Sequence, residues 1–184
     1  LKIIVELLNQ VIESKNNARL LAVAGGHLRE ALYIVDPQAH LQEFIAFDQD
    51  PKSLAVVSED TKNIQIKTIL GSIGDILKNR ITLNNFDLIY ATGLYDYLDE
   101  VTATLLTQYL FSALNSGGRL LIPNFMPNMQ EIGYMEAFMN WWLIYRDTQE
   151  MEKLAHTIPK AEIEKISIFS DELQNIVYLE IIKK

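Results

Sequence analysis

The apolar residues of this chain change their period along its length, and that pattern constrains the fold more than any single motif. Short apolar runs alternate with helical patterns, until the last two runs follow one another directly. Arg19-Leu20-Leu21-Ala22-Val23-Ala24 ends at Gly25-Gly26 and reads as a buried parallel strand and a turn. His27 to Val35 then places Leu28, Ala31, Leu32 and Val35 at helical spacing. Phe44-Ile45-Ala46-Phe47 is a second strand, and Pro51 suits the first turn of the helix that follows it. Ile64, Ile66 and Ile69 mark a third strand, with a short helix at Ile73 to Lys78. Phe86-Asp87-Leu88-Ile89-Tyr90 is a fourth. Asp99 is placed to cap a long helix from Val101 to Leu114, closed by Gly117-Gly118, and Arg119 to Ile122 is the fifth strand. Helical patterns at Ile132 to Tyr145 and Gln149 to His156 come next. Ile166-Ser167-Ile168-Phe169 and Ile176 to Ile182, joined by a polar loop, signal a terminal hairpin. Repeated strand–helix units predict an α/β fold, a doubly wound, mostly parallel sheet with helices on both faces and an antiparallel pair at its end. The 184 residues suit one such domain. Ligands of these sheets bind beyond the carboxyl ends of the strands. That rule gathers Gly25-Gly26, Asp48, Gly71-Ser72 and Ala91 to Tyr97 around one crevice.

The chain opens on Leu1 inside an apolar helical face made by Ile3, Ile4, Leu7, Leu8, Val11 and Ile12. Residues 1–16 are therefore expected as an N-terminal helix continuing from upstream material, with residues 17–184 as the domain proper. Charge narrows the partners. Lys and Arg number 16 against 24 Asp and Glu, a net charge of −8, and the lysines are scattered apart from Lys183-Lys184. Phosphate backbones need clustered cations, so nucleic acid is not an expected partner. With no cysteine there is no disulfide, thiolate metal site or cysteine nucleophile, and His27, His40 and His156 show no ligand spacing, so no metal is expected. No run approaches the roughly 20 apolar residues of a membrane span, and no signal peptide is visible. These features fit a cytoplasmic protein.

Among the crevice residues, Asp48 has the clearest chemistry. A carboxylate ending the second strand can accept both ribose hydroxyls of an adenosine cofactor, while Asp50, immediately before Pro51, is the better helix cap. Gly25 and Gly26 let a ligand approach the backbone at a helix N-terminus, but they do not make the G-x-G-x-x-G fingerprint. In the loop after the fourth strand, Tyr95 and Tyr97 can hydrogen-bond a substrate or lay a ring against a sulfonium. Asp96 can take a proton, and so can His27 in the first turn. The plain reading of that loop is a helix approach with Leu94, Tyr97 and Leu98 in the core. Tyr134, Phe138, Trp141, Trp142 and Tyr145 lie at i, i+4, i+7, i+8 and i+11, a stripe that can roof the crevice with an apolar pocket or, equally, serve as core or the face of a homodimer. Arg146 ends the stripe and can bind a substrate carboxylate or simply favour a helix C-terminus.

The order of elements resembles the class I S-adenosylmethionine-dependent methyltransferases, over roughly residues 17 to 184. Phe47-Asp48-Gln49-Asp50-Pro51-Lys52-Ser53-Leu54 looks like that family's second motif. Asn85-Phe86-Asp87-Leu88-Ile89-Tyr90 and Ser116-Gly117-Gly118-Arg119-Leu120-Leu121-Ile122 look like its fourth- and fifth-strand motifs. Leu21-Ala22-Val23-Ala24-Gly25-Gly26-His27-Leu28 stands where the family has acidic-x-G-x-G-x-G, and keeps only the central glycine at Gly26. The resemblance implies a seven-stranded, Rossmann-like sheet of order 3-2-1-4-5-7-6 and S-adenosyl-L-methionine as cofactor. It implies cofactor contacts at Ala24, Gly25, Gly26, Asp48, Gln49, Ser72, Ile73, Ala91, Thr92 and Gly93, with Gln49 and Ser72 at the adenine. Thr92-Gly93-Leu94-Tyr95-Asp96-Tyr97-Leu98, Asn124-Phe125 and the segment from Tyr134 to Arg146 are similar to a bacterial subgroup associated with methyl esters of 3-hydroxy fatty acids. That subgroup is often fused to regulatory modules, which is one reading of the missing upstream region. Tyr95, Tyr97, Asn124, Tyr134, Phe138, Trp141, Tyr145 and Arg146 become the substrate-side candidates, for a small-molecule, acyl or lipid-like acceptor. A carboxylate acceptor, ionised at neutral pH, needs no base, whereas a hydroxyl or amine needs one such as Asp96 or His27. Two other readings stand beside this one. The eroded first motif fits a non-catalytic binding or regulatory module of the same fold. Asp48 alone also fits a nicotinamide-dependent oxidoreductase.

Overall fold

The computed structural model describes every residue except 36–39, 65, 128 and 131. Seven strands form one sheet: β1 (Ala18–Val23), β2 (Leu41–Asp48), β3 (Lys67–Leu70), β4 (Phe86–Tyr90), β5 (Leu114–Phe125), β6 (Ile163–Ser170) and β7 (Ile176–Lys183). Their order is β3-β2-β1-β4-β5-β7-β6, as the family resemblance implies. The first five are parallel, and β7 runs antiparallel to both β5 and β6. Helices α1 (Lys2–Ser14), α2 (Pro51–Asp60), α3 (Ile73–Leu77), α4 (Glu100–Ser112), α5 (Ile132–Ala137) and α6 (Thr148–Lys153) flank it. Among the described residues no helix is long and apolar enough to cross a membrane.

Alternation along each strand sorts the core into two layers. Leu21, Val23, Ile45, Phe47 and Ile89 pack on one face with Ala103, Leu106 and Leu110 of α4 and Met151 of α6. Leu20, Ala22, Phe44, Ala46, Leu88 and Tyr90 pack on the other with Ile4, Leu8, Val11 and Ile12 of α1 and Leu54 and Val57 of α2. Burial on both faces is why these strands read as continuous apolar runs. β1 pairs with both β2 and β4. The chain therefore winds outward to β3 and then restarts beside β1, and this switch opens a crevice at the strands' carboxyl ends.

Four segments differ from expectation. The helix expected to reach Leu114 and close at Gly117-Gly118 ends at Ser112 with Ala113 as its cap, because Leu114 already pairs with Phe86 and both glycines lie within β5. The predicted helix from His27 to Val35 is a single 3-10 turn, Arg29–Tyr33. The reason is competition: α1 already covers that face, and Asn9 fixes the segment by donating to the Tyr33 carbonyl and accepting from the Val35 amide. Leu28 and Ala31 are buried, but Leu32 and Val35 are left exposed. The predicted helix from Ile132 to Tyr145 stops at Ala137, with Asn140 left-handed at φ 51°. Beyond it the backbone is captured, because Ile144 donates to the Asp96 carbonyl and Arg146 to that of Phe125. The third strand begins at Lys67, so Ile64 and Ile66 precede it, and Gln65 lies outside the described residues.

β5 is longer than its sequence signal because β7 pairs along it from Arg119 to Phe125. Gly118 lies within β5 where its register against β4 shifts, and a Cβ there would stand 2.8 Å from the carbonyl oxygens of Asn115 and Phe86. That close approach brings β5 alongside β4 and sets Tyr90 opposite Leu121 at the crevice. Gly118→Ala should therefore cost ~1–3 kcal/mol by overpacking against backbone, read as a lowered urea midpoint. An unchanged midpoint would contradict this tight register.

Candidate functional site

Asp48 ends β2 and is buried among backbone amides. Its Oδ2 accepts from the Gly26 N–H at 3.1 Å and its Oδ1 from the Asp50 N–H at 2.9 Å. Asp50 separately caps α2 through the amides of Lys52 and Ser53. Asp48 thus clasps the turn after β1 to the end of β2, and each oxygen keeps lone-pair capacity for a further donor. It opens on a crevice of about 360 Å³ lined by Ala24, Gln49, Ser72, Ile73 and Gly93, among others.

Ser72 caps α3 in a reciprocal box. Its hydroxyl donates to Asp75 Oδ2 at 2.6 Å and accepts from the Asp75 amide at 3.2 Å. These bonds, with Arg80 beyond them, hold the Asp75 carboxyl down at about 2. The hydroxyl proton of Ser72 is committed, so the group can offer a ligand only its acceptor side. Sequence reading passed over Asp75, although the S-x-x-D spacing is its signal.

A second cavity of about 370 Å³ adjoins the first, and Gly93 and Tyr97 line both. Gly93 has φ 71°, and a Cβ there would meet open space. Thr92, Glu30, Asp96, Asn124, Phe125 and Trp141 contribute to the walls of the second cavity. Trp141 Nε1 donates to the Tyr97 hydroxyl at 2.5 Å, and its ring meets Phe125 edge-on, with centroids 6.1 Å apart. This pair closes one side of the cavity.

Two carboxylates reach this second cavity. Glu30 is buried on the 3-10 turn and accepts from the Tyr90 hydroxyl at 2.8 Å. Burial, with Glu30 beside it, pushes the Tyr90 phenol well above its usual range. Asp96 is 3% exposed, and its Oδ1 accepts from the Phe125 amide at 2.8 Å. No other residue's donor lies within hydrogen-bond reach of its Oδ2 among the described residues. Burial raises the Asp96 carboxyl above the ordinary value, against the opposing pull of the Phe125 amide and the Arg146 guanidinium.

Several expected site residues have other duties. Ala91 lies in the core and Gly25 packs under Leu28, so neither lines a cavity. Gly26 meets the site only through its bond to Asp48. His27 is exposed to solvent and lines neither cavity. Tyr95 is fully buried, its hydroxyl sharing a hydrogen bond with Thr107 Oγ1 at 3.1 Å, and burial raises its phenol far from any working range. Tyr134 and Phe138 stack on each other at 5.4 Å on the exposed surface. Tyr145 lines a separate pocket with Asp99, Glu100 and Glu150, its buried hydroxyl unpartnered among the described residues. Asn124 borders the cavity, but its amide donates to the carbonyls of Phe125 and Ile144. Arg146, expected to meet a substrate carboxylate, is 4% exposed. It donates instead to the Tyr95 and Leu98 carbonyls and to Asn124 Oδ1. The aromatic stripe separates because the helix that would have kept it together ends at Ala137. Glu30, Phe125 and Tyr178 joined the cavity without being among the expected site residues. Glu30 had one signal, an acid between Leu28 and Ala31 on the buried side of a turn.

No family model and no curated protein sequence matches the chain. Solved structures match its fold. A possible exported protein from Bordetella parapertussis superposes with a TM-score of 0.79 at 18% identity, over 99% of this chain and 66% of that one. The CurJ carbon methyltransferase gives 0.74 at 12% identity, over 98% of this chain and 53% of its own. The N-methyltransferase NodS from Bradyrhizobium japonicum, in complex with S-adenosyl-L-homocysteine, gives 0.68 at 13% identity, over 99% and 86%. The chain thus spans about two thirds and about half of the first two. The shared architecture is the Rossmann-like methyltransferase fold.

The electrostatics give a stability test. The folded-state value of Asp96 lies above that of an unfolded carboxyl, about 3.9. The stability tied to its protonated form is fully present below the unfolded value and is lost as the pH rises through the folded one. Asp96→Asn should therefore be more stable than the parent at pH 7, by an advantage that shrinks toward pH 4. Thermal melts across that range read it, and a variant less stable at pH 7 would contradict the burial argument.

Proposed function

We propose that this protein is an S-adenosylmethionine-dependent methyltransferase acting on a small molecule with an apolar body. One observation carries the reading: two cavities at the carboxyl edge of a methyltransferase-type sheet meet at Gly93 and Tyr97. One suits an adenosine and the other an acceptor, with a narrow shared wall where a methyl group can cross. S-adenosylmethionine supplies a sulfonium methyl already activated for in-line displacement, so the protein's task is positioning and exclusion of water.

Asp48 keeps acceptor capacity on both carboxylate oxygens and takes the ribose hydroxyls. Gln49 borders the adenine, and the acceptor side of Ser72 meets its amino group. Gly93 brings backbone to the crossing point without a side chain in the way. Tyr97 lays its ring at the same point, held there by Trp141, where an aromatic face favours a cation. NodS, which shares the fold, has been seen in complex with S-adenosyl-L-homocysteine, so that compound is the natural probe here. The net charge of −8 supports a small-molecule acceptor over a nucleic acid.

Calorimetric titration with S-adenosylhomocysteine, repeated with NAD, tests the reading. Micromolar binding of the first alone is expected. NAD binding instead would favour an oxidoreductase, and binding of neither a non-catalytic module with a closed first turn. Asp48→Ala should weaken S-adenosylhomocysteine by ~2 kcal/mol or more, since hydrogen bonds to a charged acceptor are lost. Unchanged affinity would remove Asp48 from the cofactor site.

A further inference from the structure

The second cavity has a charge pattern that selects its occupant. Glu30 and Asp96 both border it, and no Lys, Arg or His side chain does among the described residues. The Arg146 guanidinium does not line the cavity and donates instead to two backbone carbonyls and Asn124. It forms no ion pair with Asp96 among the described residues. The other lining side chains are uncharged, among them the aromatic rings of Phe125, Trp141, Tyr97 and Tyr178, with Thr92 and Asn124 as neutral polar neighbours. A carboxylate acceptor would bring a further carboxylate beside Glu30 and Asp96, where like charges repel. It would also have no use for a carboxylate base beside it.

We infer that the methyl acceptor is an amine on an aromatic-sized apolar body, and that Asp96 is the catalytic residue that takes its proton. This rests on the methyltransferase reading above. The cavity volume of about 370 Å³ suits a small molecule rather than a polymer. An alkyl ammonium in water holds its proton to about pH 10, so it must give one up before it can attack. Asp96 Oδ2 is the open acceptor for that proton, while the Phe125 amide holds Oδ1 in place. Burial, which raises the proton affinity of Asp96, narrows the gap between donor and acceptor. The amine lone pair then forms the N–C bond to the methyl carbon as the C–S bond of the sulfonium breaks. That electron pair stays on sulfur, which becomes a neutral thioether. Glu30, fixed by Tyr90 on the other side, adds to the negative field that draws a cationic acceptor inward.

The test uses two probes of one shape, tryptamine and indole-3-propionate, titrated into protein saturated with S-adenosylhomocysteine. Tryptamine should bind at least about tenfold more tightly, as opposite charge replaces like charge. In Asp96→Asn, which keeps the oxygen facing Phe125, that preference should fall sharply while S-adenosylhomocysteine affinity holds. Equal or tighter binding of the carboxylate, or of neither probe, overturns the amine assignment with the cofactor reading intact. A preference that survives in Asp96→Asn overturns the role of Asp96. Failure of S-adenosylhomocysteine to bind in the first place counts against the methyltransferase reading instead.

Discussion

A buried polar knot holds together the segments from which the second cavity is made. Arg146 reaches the carbonyls of Tyr95 and Leu98 and the side chain of Asn124. Asn124 in turn bonds to the backbone of Phe125 and Ile144, and Asp96 to the Phe125 amide. The loop after β4, the end of β5 and the strap after α5 thereby become one rigid unit. Each of these groups would be costly to bury alone, and removing one partner leaves others unsatisfied. The knot is what turns a sheet edge into a shaped cavity. It also engages Arg146 away from the cavity, whose charged lining side chains are those of Glu30 and Asp96.

The neighbouring crevice relies on a smaller clasp of the same kind. The turn after β1 lacks most of the glycines that would let it wrap a ligand by itself. Asp48 supplies the constraint from the side, by holding the Gly26 amide. One carboxylate therefore organises the turn and faces the crevice, and the two tasks use different lone pairs. Asp50 makes this division work by capping α2 itself.

Much of the fold was legible because strands buried on both faces leave unmistakable apolar runs, and the terminal hairpin breaks the strand–helix rhythm. The place of Asp48 at the end of β2 and the Asp50 cap were legible too, since Pro51 marks the helix start. The segment after β1 was not. Leu28, Ala31, Leu32 and Val35 have helical spacing, but the space such a helix would fill is taken by α1, more than a dozen residues earlier in the chain. Periodicity reports what a segment can do, not what has already occupied the surface it needs. The aromatic stripe failed for a related reason. Its spacing is helical, yet Asp96 and Phe125 offer carbonyls that capture the backbone at Ile144 and Arg146. Tertiary partners of that kind carry no local signature, and with the helix went the shared face of Tyr134, Phe138 and Tyr145. Glu30 and Tyr90 became a pair only through the β1–β4 adjacency.

The proposed division of cofactor from acceptor rests on two cavities that meet at Gly93 and Tyr97. A crystal structure with S-adenosyl-L-homocysteine bound tests it most directly. The ribose is expected on Asp48, the adenine beside Gln49 and Ser72, and the sulfur at the opening between Gly93 and Tyr97. An adenosine seated elsewhere, or a sulfur turned away from the cavity that Asp96 and Trp141 line, would contradict it.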